Sequence, residues 1–268
     1  MSRKPDKAAA GTQSIERTIA ILKELATFGK TGGRISDIVP RVRLEYPTVH
    51  RILKCLAAQN MVDKDSHTLR YSLGRLVYEL GLSAPPKTNL REICDPVTSR
   101  IAEQTGDTIF LSVRSGLDVV CIDRKEGTFP IKTLIIDIGN RRPLGIGAGG
   151  LALLMHLTDE EIEDILRLNA LRMSSYGKIN PRGLVTTIRR YREIGYVATE
   201  DVVVKGVSAV SLPFGGHDGM PATAISIAAV PSRMPATRHR ELLKVLQTGI
   251  KDLERLLQTS ARVARRAA

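Results

Sequence analysis

Cysteine is scarce in this sequence, and long apolar runs are missing. The three cysteines, Cys55, Cys94 and Cys121, are far apart and odd in number, which argues against a disulfide framework or a zinc site. We expect all three to be buried small side chains in a reducing compartment. No run of about 18 apolar residues is present, so the sequence predicts no membrane-spanning helix. The first residues, 1–11, lack the apolar core of a secretory signal, and the predicted location is the cytoplasm.

Patterns typical of enzymes and metal sites are missing as well. No G-x-S-x-G element occurs, and no cysteine has a convincing histidine partner, which argues against nucleophilic catalysis. None of the histidines has the spacing of metal ligands; they are His50, His67, His156, His217 and His239. The sequence therefore predicts no catalytic residue, no metal and no cofactor.

Acidic residues are outnumbered, with 28 Asp and Glu against 40 Lys and Arg, for a net charge of +12. A basic chain of this kind can bind nucleic acid, an anionic membrane or an acidic protein. Residues 1–84 contain 14 basic and 8 acidic residues, so half of the excess lies in under a third of the chain. The length of 268 residues suits two domains better than one.

The first third of the chain predicts three helices and a β-hairpin. After a disordered basic tail, 1–12, an amphipathic helix begins with Ser14 as its N-cap and continues to about Phe28. Ser36 caps a short second helix that contains Pro40. The third helix and a hairpin follow, with alternating Leu69, Tyr71 and Leu73 in its second strand. This order is that of a winged helix-turn-helix, which we place at 13–74.

The third helix is the candidate DNA reader. It begins at Pro47, has an apolar stripe through Val49, Leu53 and Leu56, and closes at Asn60. Its opposite face is basic, and the major groove admits one α-helix whose Arg and Lys side chains donate to guanine or phosphate. The candidate DNA-binding residues of this helix and of the hairpin, or wing, are Pro47, Thr48, His50, Arg51, Lys54, Lys64, His67 and Arg70.

The rest of the chain mixes helices and strands. A linker region, 75–92, contains a helix from Arg75 to Leu82 and a break at Pro85-Pro86. The remaining domain, 93–268, is predicted to be α+β. Its predicted strands are 108–113, 119–123, 134–138, 207–212 and 222–229, with a turn at 217–219 between the last two. Its predicted helices are 90–104, 149–156, 159–169 after a capping box at Thr158, 181–194, and a closing helix from Thr237.

A glycine-rich segment, Gly145–Gly150, matches the dinucleotide fingerprint G-x-G-x-x-G. That fingerprint requires a strand leading directly into the turn, inside a βαβ unit, whereas Gly139–Pro143 before it has the composition of a loop. A nucleotide- or acyl-binding enzyme that uses this segment is therefore the alternative to a DNA-binding regulator. A second alternative is an architectural DNA-binding protein without a ligand. If the protein binds a ligand, the amide-rich start of the helix that follows the glycine-rich segment favours a carboxylate.

Several motifs, taken in order and spacing, resemble the isocitrate lyase regulator (IclR) family of bacterial transcription factors. The resemblance runs from about Ser14 to Met234. The motifs that carry it are Ser14–Arg17, Ile19–Leu22, Thr48–Leu53, Tyr71–Gly74, Arg142–Leu144, Gly195-Tyr196, Glu200-Asp201, Gly206-Val207 and Ile225–Ile227. Arg43 and Glu45–Pro47 depart from the pattern before the third helix, which puts the operator sequence in doubt. The resemblance places Ser14 and Arg17 among the DNA-binding residues.

The resemblance also implies a GAF-like α/β effector domain and a homodimer or homotetramer on palindromic double-stranded DNA. Family effectors are commonly small organic acids, some of them aromatic. The matching effector positions are Ala148, Gly149, Thr199, Ala209, Ser226 and Ala228. Because Ala209 and Ala228 replace more polar family residues, we predict an acid with an apolar or aromatic body. Ser226 and the amides of Ala148 and Gly149 are predicted to hold its carboxylate.

Overall fold

The computed structural model describes residues 12–84, 89–176, 181–216 and 220–267. Almost all of the predicted tail, the Pro85-Pro86 break and the predicted turn at 217–219 lie outside these residues. The chain divides into two compact units, Met1–Pro85 and Pro86–Ala268. The predicted fold class, a winged helix-turn-helix followed by a helix and an α+β domain, is confirmed.

The first unit consists of three packed helices, a hairpin and a further helix. The helices are α1 (Gln13–Leu25), α2 (Ile35–Val42), α3 (Tyr46–Ala58) and α4 (Arg75–Ser83), and the hairpin strands are β1 (Val62–Lys64) and β2 (Tyr71–Leu73). The fully buried side chains that join the first three helices are Ile21, Leu25, Ile38, Val49 and Leu53. Each helix contributes one apolar stripe to this core, as helical spacing predicts.

The helix starts differ from the prediction. Ser14 lies inside α1, and its carbonyl accepts a hydrogen bond from Thr18 Oγ1 at 2.8 Å, so Ser14 is not the N-cap. In α2, the backbone amide of Arg34 donates to Asp37 Oδ2 at 2.9 Å, so the helix begins before Ser36. The predicted end of α3 is confirmed, since Asn60 has a left-handed φ of 55°.

The hairpin loop is longer than alternation predicts. Leu69 has a φ of 57° and is exposed, so it does not continue the strand. The Asp65 carboxylate instead accepts hydrogen bonds from the amides of His67 and Thr68 at 2.9 and 2.6 Å, which organises a local turn. The alternating pattern of Leu69, Tyr71 and Leu73 therefore overestimated the second strand, because turn formation at Asp65 takes precedence over strand pairing.

The second unit is one antiparallel sheet covered by helices on both faces. Its strand order is β5-β4-β3-β8-β7-β6, and all adjacent pairs are antiparallel. The strands are β3 (Thr108–Ser115), β4 (Asp118–Lys125), β5 (Arg141–Pro143), β6 (Val197–Glu200), β7 (Ser208–Phe214) and β8 (Thr223–Ala229). The helices are α5 (Leu90–Thr105), α6 (Gly147–Leu154), α7 (Asp159–Met173), α8 (Pro181–Ile194) and α9 (Ala236–Ala267).

Two strand predictions need correction. The predicted strand 134–138 is wrong, because this segment is irregular and the short edge strand β5 follows it instead. The strand β6 was not predicted. The capping box at Thr158 is confirmed, since its hydroxyl accepts from the Glu161 amide while the Glu161 carboxylate accepts from the Thr158 amide.

The two faces of the sheet carry side chains of different size. Toward α5 and α9 the central strands present large aliphatic residues, among them Ile225 and Ile227 of β8. Toward α6 the same strand presents the small residues Ala224, Ser226 and Ala228, which alternate with them. The face with small side chains leaves space between the sheet and α6.

One buried carboxylate connects the start of β3 to the last part of the chain. Asp107 is 1% exposed and accepts from Arg233 Nε and from Arg238 Nη1, both at 2.7 Å. Both arginines also donate to the carbonyl of Thr105 at 2.9 Å. Because the carboxylate is buried away from water, the two arginines are needed to compensate its charge.

We predict that Asp107→Asn lowers the free energy of unfolding by about 2–3 kcal/mol, less than the full penalty of a broken buried pair, because the arginines keep the Thr105 carbonyl. The control Asp164→Asn removes an exposed pair with Arg167 and should cost less than about 0.5 kcal/mol. Urea unfolding measures both, and equal losses in the two variants would contradict the assignment.

Candidate DNA interface and ligand cavity

The exposed face of α3 carries the predicted cations. Pro47, His50, Arg51 and Lys54 are exposed, and Thr48 is half-buried. Their arrangement follows from the burial of Val49, Leu53 and Leu56 on the other side of the helix. The helix therefore offers a basic ridge whose side chains are not used in the core.

A groove lies beside this ridge, between the starts of α2 and α3 and the wing. It encloses about 570 Å³, open mouth included, and its lining consists of Arg34, Ile35, Ser36, Tyr46, His50, Lys64, Leu69 and Tyr71. The rings of Tyr46 and His50 are stacked, with centroids 6.5 Å apart. The groove brings His50 and Lys64 together and adds Arg34, which the sequence analysis did not identify. Its place at the start of α2 depends on a helix boundary that the sequence misplaced.

Two of the predicted DNA-binding residues, Arg70 and Lys64, also make contacts within the protein. Arg70 is half-buried, and its Nη1 donates to the Gly32 carbonyl at 2.8 Å, so it braces the wing instead of extending from it. Lys64 is exposed, with its Nζ 5.6 Å from the centre of the Tyr71 ring. His67 is exposed in the wing loop; in α1, Ser14 is exposed and Arg17 is half-buried.

A cavity of about 450 Å³, open mouth included, lies between the small-residue face of the sheet and the start of α6. Its lining is mostly apolar, with Phe110, Val119, Ile135, Ile136 and Ile146 joining the small residues of β7 and β8. The start of α6 has no side-chain cap, so its first amide groups remain available to an anion.

Arg142 is the one charged residue among the described residues that line this cavity. Its Nη2 donates to the Ile135 carbonyl at 2.5 Å, and its Nη1 lies 3.8 Å from the Cβ position of Gly147 at the start of α6. Burial lowers the pKa of its guanidinium, and nearby Tyr176 and Cys121 oppose that effect in part. The neighbouring Arg141, in contrast, pairs with Asp118 at 3.0 Å.

Two serines give the cavity its remaining side-chain polarity. Ser226 Oγ donates to Ser211 Oγ at 2.8 Å, and Ser211 Oγ donates to the Ile225 carbonyl at 3.0 Å. Since each hydroxyl has a single hydrogen, Ser226 offers a ligand its lone pairs. Ser112 also lines the cavity, and its Oγ lies 3.5 Å from the Cβ position of Gly149.

The structure places five of the six predicted effector residues at the cavity, namely Ala148, Gly149, Ala209, Ser226 and Ala228. Thr199 is not among the lining residues; it pairs with Ala209 from the outermost strand, β6. Arg142 was missed as a ligand contact, although it stands in one of the motifs of the family resemblance. Its position over the cavity depends on the antiparallel pairing of β5 with β4.

The glycine-rich segment does not have the surroundings of a dinucleotide site. The strand before it, β5, pairs antiparallel with β4, whereas the fingerprint belongs to a parallel βαβ unit. Gly145 and Gly147 have φ values of 101° and 75°, which reverse the chain into α6. These glycines turn the chain into the helix beside the cavity. The segment lacks the parallel βαβ unit that the nucleotide-binding alternative requires.

Three further sequence expectations concern the cysteines, metal binding and membrane-spanning helices. Burial raises the pKa of both Cys94 and Cys121 to about 12, so neither thiol is activated. Cys55 is exposed on α3, and the expectation that it is buried is wrong. Among the described residues, no group of acids, histidines and cysteines could hold a metal ion. No helix in the described part of the chain is long and apolar enough to cross a membrane.

Comparison with known proteins supplies the family. The profile described as "Bacterial transcriptional regulator IclR C-terminal" matches residues 83–255, more than half of the chain. This protein belongs to the IclR family. The resemblance seen in the sequence motifs is thereby confirmed, and the IclR protein is a transcriptional regulator by its family.

Related proteins align with almost the full length of the chain. The HTH-type transcriptional repressor AllR of Salmonella typhi is 28% identical over 96% of this IclR protein and 94% of its own length. The structure of an IclR family regulator from Brucella abortus has a TM-score of 0.72 at 19% identity, covering 95% of this chain and 94% of that one. An IclR homolog from Microbacterium hydrocarbonoxydans, solved in complex with 4-hydroxybenzoate, has a TM-score of 0.64 at 20% identity, covering 92% of this chain and all of that one.

Alanine substitutions of two adjacent glycines at the start of α6 test whether the cavity leaves open space beside Gly149. A Cβ at Gly149 would make ordinary contacts with the hydroxyls of Ser226 and Ser112, at 3.4 and 3.5 Å. We predict that Gly149→Ala leaves the free energy of unfolding unchanged or raises it by up to about 1 kcal/mol, since alanine favours a helix.

The control is Gly150→Ala, whose Cβ would lie 3.2 Å from the backbone nitrogen of Gly145. This crowding should lower the free energy of unfolding by about 1–2 kcal/mol. Chemical denaturation of both variants provides the comparison. A loss for Gly149→Ala as large as that for Gly150→Ala would mean that the space beside Gly149 is closed.

Proposed function

We propose that this IclR protein is a cytoplasmic transcriptional repressor that binds palindromic DNA through α3 and its wing and responds to a small organic acid. It acts as a regulator and not as an enzyme. The observation that carries the proposal is the presence, in one chain, of a basic helix ridge and of a separate apolar cavity with a cation but no carboxylate among its described lining residues. Similarity to AllR, an HTH-type transcriptional repressor, supports the assignment as a repressor.

The DNA-binding part of the proposal is supported by the first unit. Arg51 and Lys54 are exposed on α3, where they can donate to guanine O6 and N7 or to phosphates in the major groove. The groove residues Arg34, His50 and Lys64 suit the phosphates that flank it. Ser14, Arg17 and His67 are assigned supporting phosphate contacts, and the bracing of Arg70 holds the wing in place for Lys64.

Pairing of two copies is part of the proposal. No residue of α4 is buried, and Tyr78 and Leu82, four residues apart on one helical face, are 69% and 66% exposed. An apolar helix face of this kind suits a second copy of the chain, and two copies related by a two-fold axis match two half-sites of a palindrome. The protein is therefore assigned as a homodimer, or a homotetramer built from such dimers.

The effector part rests on the second unit. The cavity offers the α6 amides and Arg142 to an acid and apolar side chains to its body. The homolog complexed with 4-hydroxybenzoate supports an aromatic acid as the ligand class. Of the matched positions, Ala148 and Gly149 supply amides at the helix start, and Ala209 and Ala228 supply the small walls that leave room for a ring.

Selection of bound duplexes from a random DNA pool tests the proposed function. The wild-type protein should enrich a palindrome, and the spacing of its half-sites should report a dimer. Arg51→Ala/Lys54→Ala should lose the consensus, because both base-reading cations are removed.

The control variant Lys244→Ala/Lys251→Ala removes the same charge from exposed positions of α9 and should retain the consensus. Salt-sensitive retention of DNA without any consensus in the wild type would mean that the basic charge binds DNA without reading sequence. That result would contradict the proposal.

A further inference from the structure

The polar groups of the cavity differ at its two ends, and the difference specifies a kind of ligand. At one end, beside Gly147, the Arg142 guanidinium and the start of α6 are both positive. At the other end, beside Gly149, the hydroxyls of Ser226 and Ser112 lie at 3.4 and 3.5 Å from the Cβ position of that glycine. The two ends are separated by part of the first turn of α6.

No described residue of the cavity lining supplies a counter-charge to the positive end. The described residues of the cavity lining include no carboxylate, and the structure shows the Arg142 guanidinium bound to a neutral carbonyl, that of Ile135. A half-buried cation without an anion is costly, whereas a bound acid would form charge-assisted hydrogen bonds with it. Arg142 therefore has the properties of a group that awaits an anionic ligand.

The serine end accepts hydrogen bonds. The Ile225 carbonyl has no hydrogen, so Ser211 must donate to it, and Ser226 must then donate to Ser211. The single hydrogen of Ser226 is thus used inside the protein. A ligand group forms a hydrogen bond with Ser226 itself only if it donates, as a hydroxyl does and a carboxylate does not.

We propose that Arg142 binds the acid group of the effector and that Ser226 selects an effector with a hydrogen-bond donor, such as a hydroxyl, at the far end of its apolar body. This inference rests on the proposed function, since it names the ligand class of the same cavity. It reverses the orientation in which Ser226 holds the carboxylate.

The test uses isothermal titration calorimetry with three probes, benzoate, 4-hydroxybenzoate and methyl 4-hydroxybenzoate, on the full-length protein. Wild type should bind 4-hydroxybenzoate at least about tenfold more tightly than benzoate or the neutral ester, because each lacks one of the two polar groups. Arg142→Met should weaken 4-hydroxybenzoate by roughly 10–100-fold and leave the ester within about twofold. Arg142→Lys should restore part of the loss.

The matched control is Arg124→Met. Arg124 also donates to a carbonyl of the adjacent loop, that of Ile136, but it pairs with Asp137 and is not among the cavity-lining residues. This variant should bind all probes like wild type. Ser226→Ala should bring the affinities for benzoate and 4-hydroxybenzoate within about threefold of each other, because the acceptor for the hydroxyl is gone.

The outcomes separate the two claims. If 4-hydroxybenzoate binds wild type and Arg142→Met equally, Arg142 is not the anion-binding residue, and the inference is overturned while the proposed acid effector stands. If Ser226→Ala retains the full preference for the hydroxylated acid, the proposed orientation is wrong. If no probe binds wild type at millimolar concentration, and glyoxylate and pyruvate also fail, the organic-acid effector itself is contradicted. Melting temperatures of the ligand-free variants check that each is folded.

Discussion

The burial of β8 on both faces is the constraint on which the second unit depends. Every residue of this strand is buried, so each side chain must fit one of two helical layers. On one face Ile225 and Ile227 fill the space against α5 and α9. On the other face only small side chains are present, and α6 approaches the sheet through glycines. The same strand therefore stabilises the fold and leaves the cavity open.

The cavity makes the fold less stable than a filled core would, and it leaves space for a ligand. Large aliphatic residues in place of Ala228 or Gly149 would bury more apolar surface. An arginine paired with a carboxylate would avoid the cost of a half-buried cation, as Arg141 does with Asp118. In the protein, Arg142 instead stands beside an uncapped helix start in a cavity whose described lining contains no carboxylate. Sites of this kind, in which local stability is sacrificed, are expected where a ligand completes the structure.

Much of the first unit could be predicted from the sequence because its signals are local. The apolar stripe of α3 and the left-handed position of Asn60 follow from helical spacing and from the conformational tolerance of asparagine. The wing was predicted less well, since the hydrogen bonds of Asp65 organise a turn where alternation alone indicates a strand. The start of α2 was misplaced because the carboxylate of Asp37, and not the hydroxyl of Ser36, satisfies the first amide.

The candidate cavity was less accessible to sequence reasoning, because its residues meet only through the sheet. Strands β7 and β8 were predicted from their apolar composition. The glycine-rich helix start was recognised from the spacing of its glycines. The apolar segment 134–138 was mistaken for a strand, although Ile135 and Ile136 are irregular residues that wall the cavity. Arg142 could not be identified as a ligand contact, since its position over the cavity depends on the pairing of β5 with β4. The direction of the Ser226 hydrogen bond likewise depends on its partner in the adjacent strand.

If the protein functions as proposed, an acid in the cavity controls DNA binding by α3 and the wing. The most direct test is the fluorescence anisotropy of a labelled operator duplex, titrated with the protein in the absence and presence of saturating acid at fixed salt. We expect the acid to change the affinity for the duplex at least about fivefold, the range of allosteric coupling. Arg142→Met should bind the duplex like wild type but should not respond to the acid. Identical duplex affinities for wild type with and without bound acid would contradict control of DNA binding by the cavity.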